Sequence, residues 1–166
     1  MPDVLILVGS PNDLDKMAKA GETLRSLGLT AETQVASAHR DPERVAELVS
    51  AAEAGGEVKV IIAAAGMAAH LAGAVAARTV LPVIGVPLGG SALNGLDALY
   101  STVQMPRGIP VATVAIDGAV NAGILAAQII GLGRPEIRER LHEQRRQAAA
   151  EARAASARLD GSRRED

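Results

Sequence analysis

The chain has 166 residues and a formal net charge of −2, from 17 Lys and Arg against 19 Asp and Glu; it has the length of one domain with a real core, and its dispersed basic residues leave no electrostatic footprint for nucleic acid. Hydrophobic residues make up 48% of it but aromatics only 1%, with no Trp or Phe and only Tyr100, so the core is packed from Ala, Val, Ile and Leu, and recognition by aromatic stacking is disfavoured. The absence of Cys excludes disulfides, thiolate catalysis and cysteine-ligated metals, and fits a reducing compartment.

Val4–Val8 is a continuous apolar run, the mark of a strand covered on both faces, and it ends at Gly9-Ser10-Pro11-Asn12-Asp13. No charged leader precedes it and no apolar run reaches membrane-spanning length, so a soluble cytoplasmic protein with no membrane partner is expected. Residues 14–27 carry Met17, Ala20, Leu24 and Leu27 at helical spacing, and Gly28 is a C-terminal stop. Residues 30–36 read as the second strand. It runs into Ser37-Ala38-His39-Arg40, after which Asp41 is a cap and Pro42 a first helical residue for a helix over 41–54, stopped by Gly55-Gly56.

Residues 58–64 form the third strand, followed by a small-residue loop through Gly66, Met67 and His70 and an Ala-rich helix to about 79. The fourth strand covers 82–86 and opens into Pro87-Leu88-Gly89-Gly90-Ser91, whose amides are free to face a ligand. A helix is predicted over 93–103, the fifth strand over 111–116, and a further apolar helix over 119–130. Pro135 opens a last helix whose apolar stripe, Ile137 and Leu141, is too narrow for core, so it is expected on the surface or against a neighbouring subunit. Strands alternating with helices predict an α/β fold with a parallel sheet and helices on both faces, as one domain over 1–159 with a frayed tail at 160–166.

Ligands of such sheets bind beyond the carboxyl ends of the strands, so the candidate residues are those of the strand-to-helix loops. Gly9 and Ser10 open a helix where free amides attract phosphate; Asp13 either meets sugar hydroxyls or caps that helix. His39 exchanges protons near neutrality, unless it is a solvent-exposed or backbone-bonded loop imidazole. Arg40 beside it can hold an anion, or pair with Asp13 or Asp41. His70 is a second polar contact or a helix-start residue bonded to a carbonyl, and His142 lies in the charged last helix. No metal-ligand spacing, nucleophile elbow, phosphate-binding Lys motif or dinucleotide fingerprint is present.

Gly-Ser-x-x-Asp, Ser-Ala-His-Arg-x-Pro, Ala-Ala-His-Leu, Gly-Val-Pro, Leu-x-Gly-Leu-Asp-x-Leu, Val-Gln-Met-Pro-Arg-Gly-Ile-Pro-Val and Asn121-Ala122 occur in one order across residues 4–130. In this the chain resembles the bacterial-type N5-carboxyaminoimidazole ribonucleotide mutases, the class I aminoimidazole ribonucleotide carboxylase family of purine biosynthesis. The resemblance implies a flavodoxin-like three-layer α/β/α sandwich with a five-stranded parallel sheet and an extra C-terminal helix, assembled as a homo-octamer with active sites near subunit contacts. It implies a small-molecule ribonucleotide substrate, no cofactor, metal or ATP, and transfer of a carboxylate from N5 to ring carbon C4.

By motif, the resemblance makes His39 catalytic and gives Ser10, Asp13 and Arg40 to substrate binding, with Gly9, Ser37, Ala38, Gly66, His70, Leu71 and the loop near Pro87 lining the pocket. Residues 104–110 resemble a wall near subunit contacts. The chain departs from the common pattern at Asn12 (usually Ser), Asp41 (Thr), Met67 (Gly) and Ala72 (Pro). A related branch carboxylates aminoimidazole ribonucleotide directly with carbon dioxide, and has Lys after the catalytic His and no Ala-Ala-His-Leu; Arg40 and His70 favour the mutase branch. A non-catalytic nucleotide-binding module is the alternative from another class, and such a binder has no need of His39.

Overall fold

A computed structural model describes residues 2–162. Five parallel strands, β1 (Val4–Val8), β2 (Ala31–Val35), β3 (Val60–Gly66), β4 (Val83–Leu88) and β5 (Ala112–Thr113), lie in the order β2-β1-β3-β4-β5. The order reverses at β1, whose neighbours are β2 and β3, and a crevice opens at the carboxyl ends there. Every residue of β1 is buried, as expected of a strand covered on both faces, and each such Val, Leu or Ile contributes about 1.5–3 kcal/mol by leaving water.

Helices α1 (Leu14–Ser26) and α5 (Ala119–Gly131) cover one face, joining Met17, Ala20 and Leu24 to Ile6, Ile62, Ile84 and Ala126 in one core. Close contact is enforced at Gly123, where a Cβ would stand 3.0 Å from the Ala20 carbonyl oxygen. On the other face α2 (Pro42–Gly55) and α3 (Leu71–Ala76) pack Val45, Val49, Leu71 and Val75 against Leu5, Leu7 and Ile61. Helix α4 (Leu96–Val103) joins this face, with Thr102 against Gly85.

The punctuation follows the sequence. Gly28 ends α1 at φ +77°, Asp41 caps α2 by accepting the Arg44 amide at 3.1 Å, and Gly56 closes α2 at φ +69°. The strand and helix limits differ in several places. Strands β3 and β4 run two residues further than expected, because Gly66 lets β3 stay paired: a Cβ there would lie 3.3 Å from the Leu88 carbonyl oxygen. Gly66 is therefore the last strand residue, not a loop residue.

The fifth strand is two residues long rather than the expected run over 111–116. Val114 still donates to Gly85 O and Asp117 to Pro87 O, so an extra residue bulges from this edge, and Pro87 has no amide to continue the ladder. Helix α3 ends at Ala76, short of 79, and α4 starts at Leu96, since 91–95 is a turn whose Leu93 and Gly95 amides bond to Ser91 Oγ.

Helix α6 (Pro135–Ser162) corrects a further expectation: Ile137 and Leu141 are buried in the α1/α5 core, so its first turns are core despite the narrow stripe. A narrow stripe suffices because only two turns dock, while residues 145–158 are exposed. Of the tail expected to fray, 163–166 lies outside the described residues. No described helix is long and apolar enough to cross a membrane.

Candidate active site

Loops at the carboxyl ends of β1, β2, β3 and β4 surround a cleft of about 670 Å³. Gly9, Ser10 and Asp13 come from the first loop, Ser37, Ala38, His39 and Arg40 from the second, and Gly66, His70 and Leu71 from the end of β3 and the loop and helix that follow it. All the residues singled out from the sequence as catalytic or substrate-binding line this one cleft. His142 is remote from it, beside Arg138 and Arg145 on α6.

The second loop is a tight turn. The Asp41 amide donates to Ser37 O at 2.9 Å, and Ser37 Oγ accepts the Arg40 amide at 3.3 Å and Arg40 Nε at 3.2 Å. Arg40 Nη2 then reaches the first loop, donating to Gly9 O at 2.7 Å. Arg40 thus stitches the β1 and β2 loops together and fixes the turn that carries His39. The guanidinium has five N–H groups, and these bonds leave donors for an anion.

The third loop meets the second through the histidines. His39 Nε2 and His70 Nδ1 are 2.6 Å apart, with the rings edge to face, centroids 4.8 Å apart and planes at 81°. At this distance one imidazole donates to the other, with the direction set by the tautomer, so each ring positions its partner. Of the open readings of His70, the bond to a main-chain carbonyl does not hold: its Nδ1 meets the other imidazole instead.

In the first loop Ser10 Oγ accepts the Asn12 amide at 3.3 Å, which leaves its hydroxyl proton for a ligand. Asp13 stands at the N-cap of α1 but makes no side-chain cap bond, so it is not held there as a cap. Burial pushes its carboxyl above the ordinary range, against the pull of Lys16, the Ser10 backbone and Arg40. An acceptor kept partly dry, with only the Ser10 backbone as hydrogen-bond partner, suits a hydroxyl donor.

The sequence reading missed Lys16, which lines the cleft with Gly89, Gly90 and Ser91. A signal was present: a cation in the first turn of a helix opposes the dipole and asks for a reason. Residues 104–110 do not line this cleft; Met105 Sδ packs on Gly73 of α3 instead. Among the described residues no group of three or more His, Asp or Glu side chains is placed to hold a metal ion.

The family model described as AIR carboxylase matches residues 3–151. The chain is 55% identical over 143 residues to an N5-carboxyaminoimidazole ribonucleotide mutase of Thermotoga maritima, covering 86% of this chain and 83% of the relative. It is 54% identical over 145 residues to the enzyme of the same name from Pyrococcus abyssi, covering 87% and 83%. The crystal structure of Treponema denticola PurE superposes with a TM-score of 0.87 at 29% identity, covering 94% of this chain and 97% of the other.

Proposed function

The chain belongs to the AIR carboxylase family, and we propose that the cleft isomerises N5-carboxyaminoimidazole ribonucleotide with His39, hydrogen-bonded to His70, as its acid and base. The activity is that of an isomerase of purine biosynthesis, moving the carboxylate from N5 to C4. The observation that carries the mechanism is the 2.6 Å contact between the two imidazoles on the cleft wall.

The carbamate C–N5 bond breaks readily once N5 is protonated, releasing carbon dioxide and leaving the aminoimidazole with a nucleophilic C4. His39 supplies that proton. C4 then attacks the trapped carbon dioxide, the C4–carboxylate bond forms, and His39 takes the proton from C4 as the ring regains aromaticity. One proton leaves the pair and one returns, so no net acid or base is consumed. The contact with His70 Nδ1 orients the His39 ring. A confined cleft keeps carbon dioxide beside C4, which supplies the proximity term.

Ser10 and the amides after Gly9 meet the 5′-phosphate at the start of α1, Asp13 accepts from ribose hydroxyls, and Arg40 offers its remaining donors to substrate anion. Ser37 holds Arg40, while Ala38, Gly66 and Leu71 shape the wall. The protein works in the cytoplasm as a homo-octamer built from single domains spanning 1–159, and the 104–110 segment serves a neighbouring subunit's site.

The test is isomerisation of the N5-carboxylated ribonucleotide by purified protein without ATP or bicarbonate, with His39→Asn beside it. Wild type converts it, and the variant loses about 10²-fold or more in kcat. No conversion by wild type, or undiminished conversion by His39→Asn, would refute this reading. Bicarbonate-dependent carboxylation of the uncarboxylated ribonucleotide at equal rates would point to the direct carboxylase instead.

A further inference from the structure

The chemistry above gives no task to Lys16, although its side chain lines the cleft and is 39% exposed. It sits in the first turn of α1, three residues after Asp13, where a cation opposes the helix dipole. Its position is not left to chance. Lys16 Nζ donates to Gly89 O at 2.7 Å and to Asp117 Oδ1 at 3.3 Å. The same Asp117 oxygen accepts the Gly89 amide at 3.0 Å, so Gly89 is held through both its carbonyl and its amide. A Cβ at Gly89 would stand 2.9 Å from Asp117 Oδ2, so any side chain there would push the carboxylate away from the Gly89 amide and Lys16.

An ammonium has three N–H donors, and these contacts engage two of them. The third is left for the cleft. Charge arithmetic at this end points the same way. A ribonucleotide phosphate entering near Ser10 meets the carboxylates of Asp13 and Asp117, while Arg40 already commits Nε and Nη2 to Ser37 and Gly9. Lys16 is the cation that offsets those carboxylates.

We propose that Lys16 is a substrate-positioning residue, its ammonium aimed by Asp117 and the Gly89 carbonyl so that its remaining donor binds the ribonucleotide phosphate. The proposal rests on reading the cleft as a ribonucleotide site. It differs from a purely structural clasp in one respect: Asp117 competes with the phosphate for the ammonium. Asn at position 117 preserves the acceptor for Gly89 while removing the competing charge.

The experiment compares KM and kcat for Lys16→Met, Lys16→Arg and Asp117→Asn. Lys16→Met raises KM about fivefold or more with kcat within about twofold, flattens the rise of KM with salt, and is largely rescued by Arg. Asp117→Asn lowers KM. An unchanged KM in Lys16→Met overturns the proposal, and so does an increase in Asp117→Asn matching that of Lys16→Met, which marks a clasp alone. Titration of the full chain with inorganic phosphate by calorimetry separates this from the reaction itself. If wild type does not isomerise the substrate, the mutase reading fails, and weaker phosphate binding in Lys16→Met still supports the site while equal binding overturns it.

Discussion

Met67 shows how one residue can carry strain into a loop that lines the cleft. It follows β3, three residues before His70, at φ +55° and with 67% of its surface exposed. The other non-glycine residues at positive φ, Asn94 and Asp117, are of the types that tolerate it. A Met there costs about 1–2 kcal/mol for its Cβ against the carbonyl and recovers little by burial. A Gly at this position has no such penalty but a larger unfolded-state entropy. Met67→Gly is therefore expected to stabilise the fold by about 0.5–1 kcal/mol, read as a higher urea midpoint at unchanged m-value. A lower midpoint would mean that the thioether makes contacts worth more than the strain.

At the scale of elements, the docking of α6 depends on a short chain of polar contacts at the opposite end of the sheet. Arg134, just before α6, donates to Asp3 Oδ1 at 2.7 Å, and Asp3 Oδ2 accepts the amide and the hydroxyl of Thr30, each at 2.8 Å. Burial raises the Asp3 carboxyl, but the Thr30 bonds and the Arg134 charge outweigh it and hold it below its ordinary value of 3.8. A depressed carboxylate contributes stability that is present above about pH 3.8 and lost as pH falls through the folded value. Asp3→Asn should cost about 1 kcal/mol at pH 7, with the gap to wild type closing below about pH 4 in urea unfolding curves. A gap independent of pH would assign the loss to packing.

This same contact marks the limit of what the sequence makes legible. Local signals specify the strands and their caps: the run through β1, Asp41-Pro42 before α2, and Gly28 and Gly56 after α1 and α2. The cleft's residues were legible for a topological reason, since every parallel strand delivers its loop to the same end. What local pattern cannot hold is the result of long-range contact. The bulge that shortens β5 depends on Pro87 in the neighbouring strand. The docking of Ile137 depends on Asp3, and the His39–His70 pair on Arg40 reaching Gly9 across 31 positions of sequence. Lys16 was missed for the same cause, because its partners Gly89 and Asp117 lie 73 and 101 positions away.

The whole molecule carries an uncovered apolar face. Along α4, Leu96, Tyr100 and Val103 recur at helical spacing and are 49%, 60% and 47% exposed, and Leu93 precedes them at 60%. An exposed stripe of this kind is a candidate protein contact. The 104–110 segment leaves α4 directly and stands outside its own cleft, so a partner seated on α4 would meet it. A two-fold contact would make such a patch self-complementary, and in the proposed octamer every copy would use it. Sedimentation should then give eight times the 17.0 kDa chain mass at micromolar concentration. Tyr100→Arg, which places a charge mid-stripe, should yield smaller species whose kcat falls together with the assembly while the thermal transition persists. A Tyr100→Arg variant that keeps its size would show that α4 is not the contact, and an active wild type that sediments as a monomer would show that each cleft is complete within one chain.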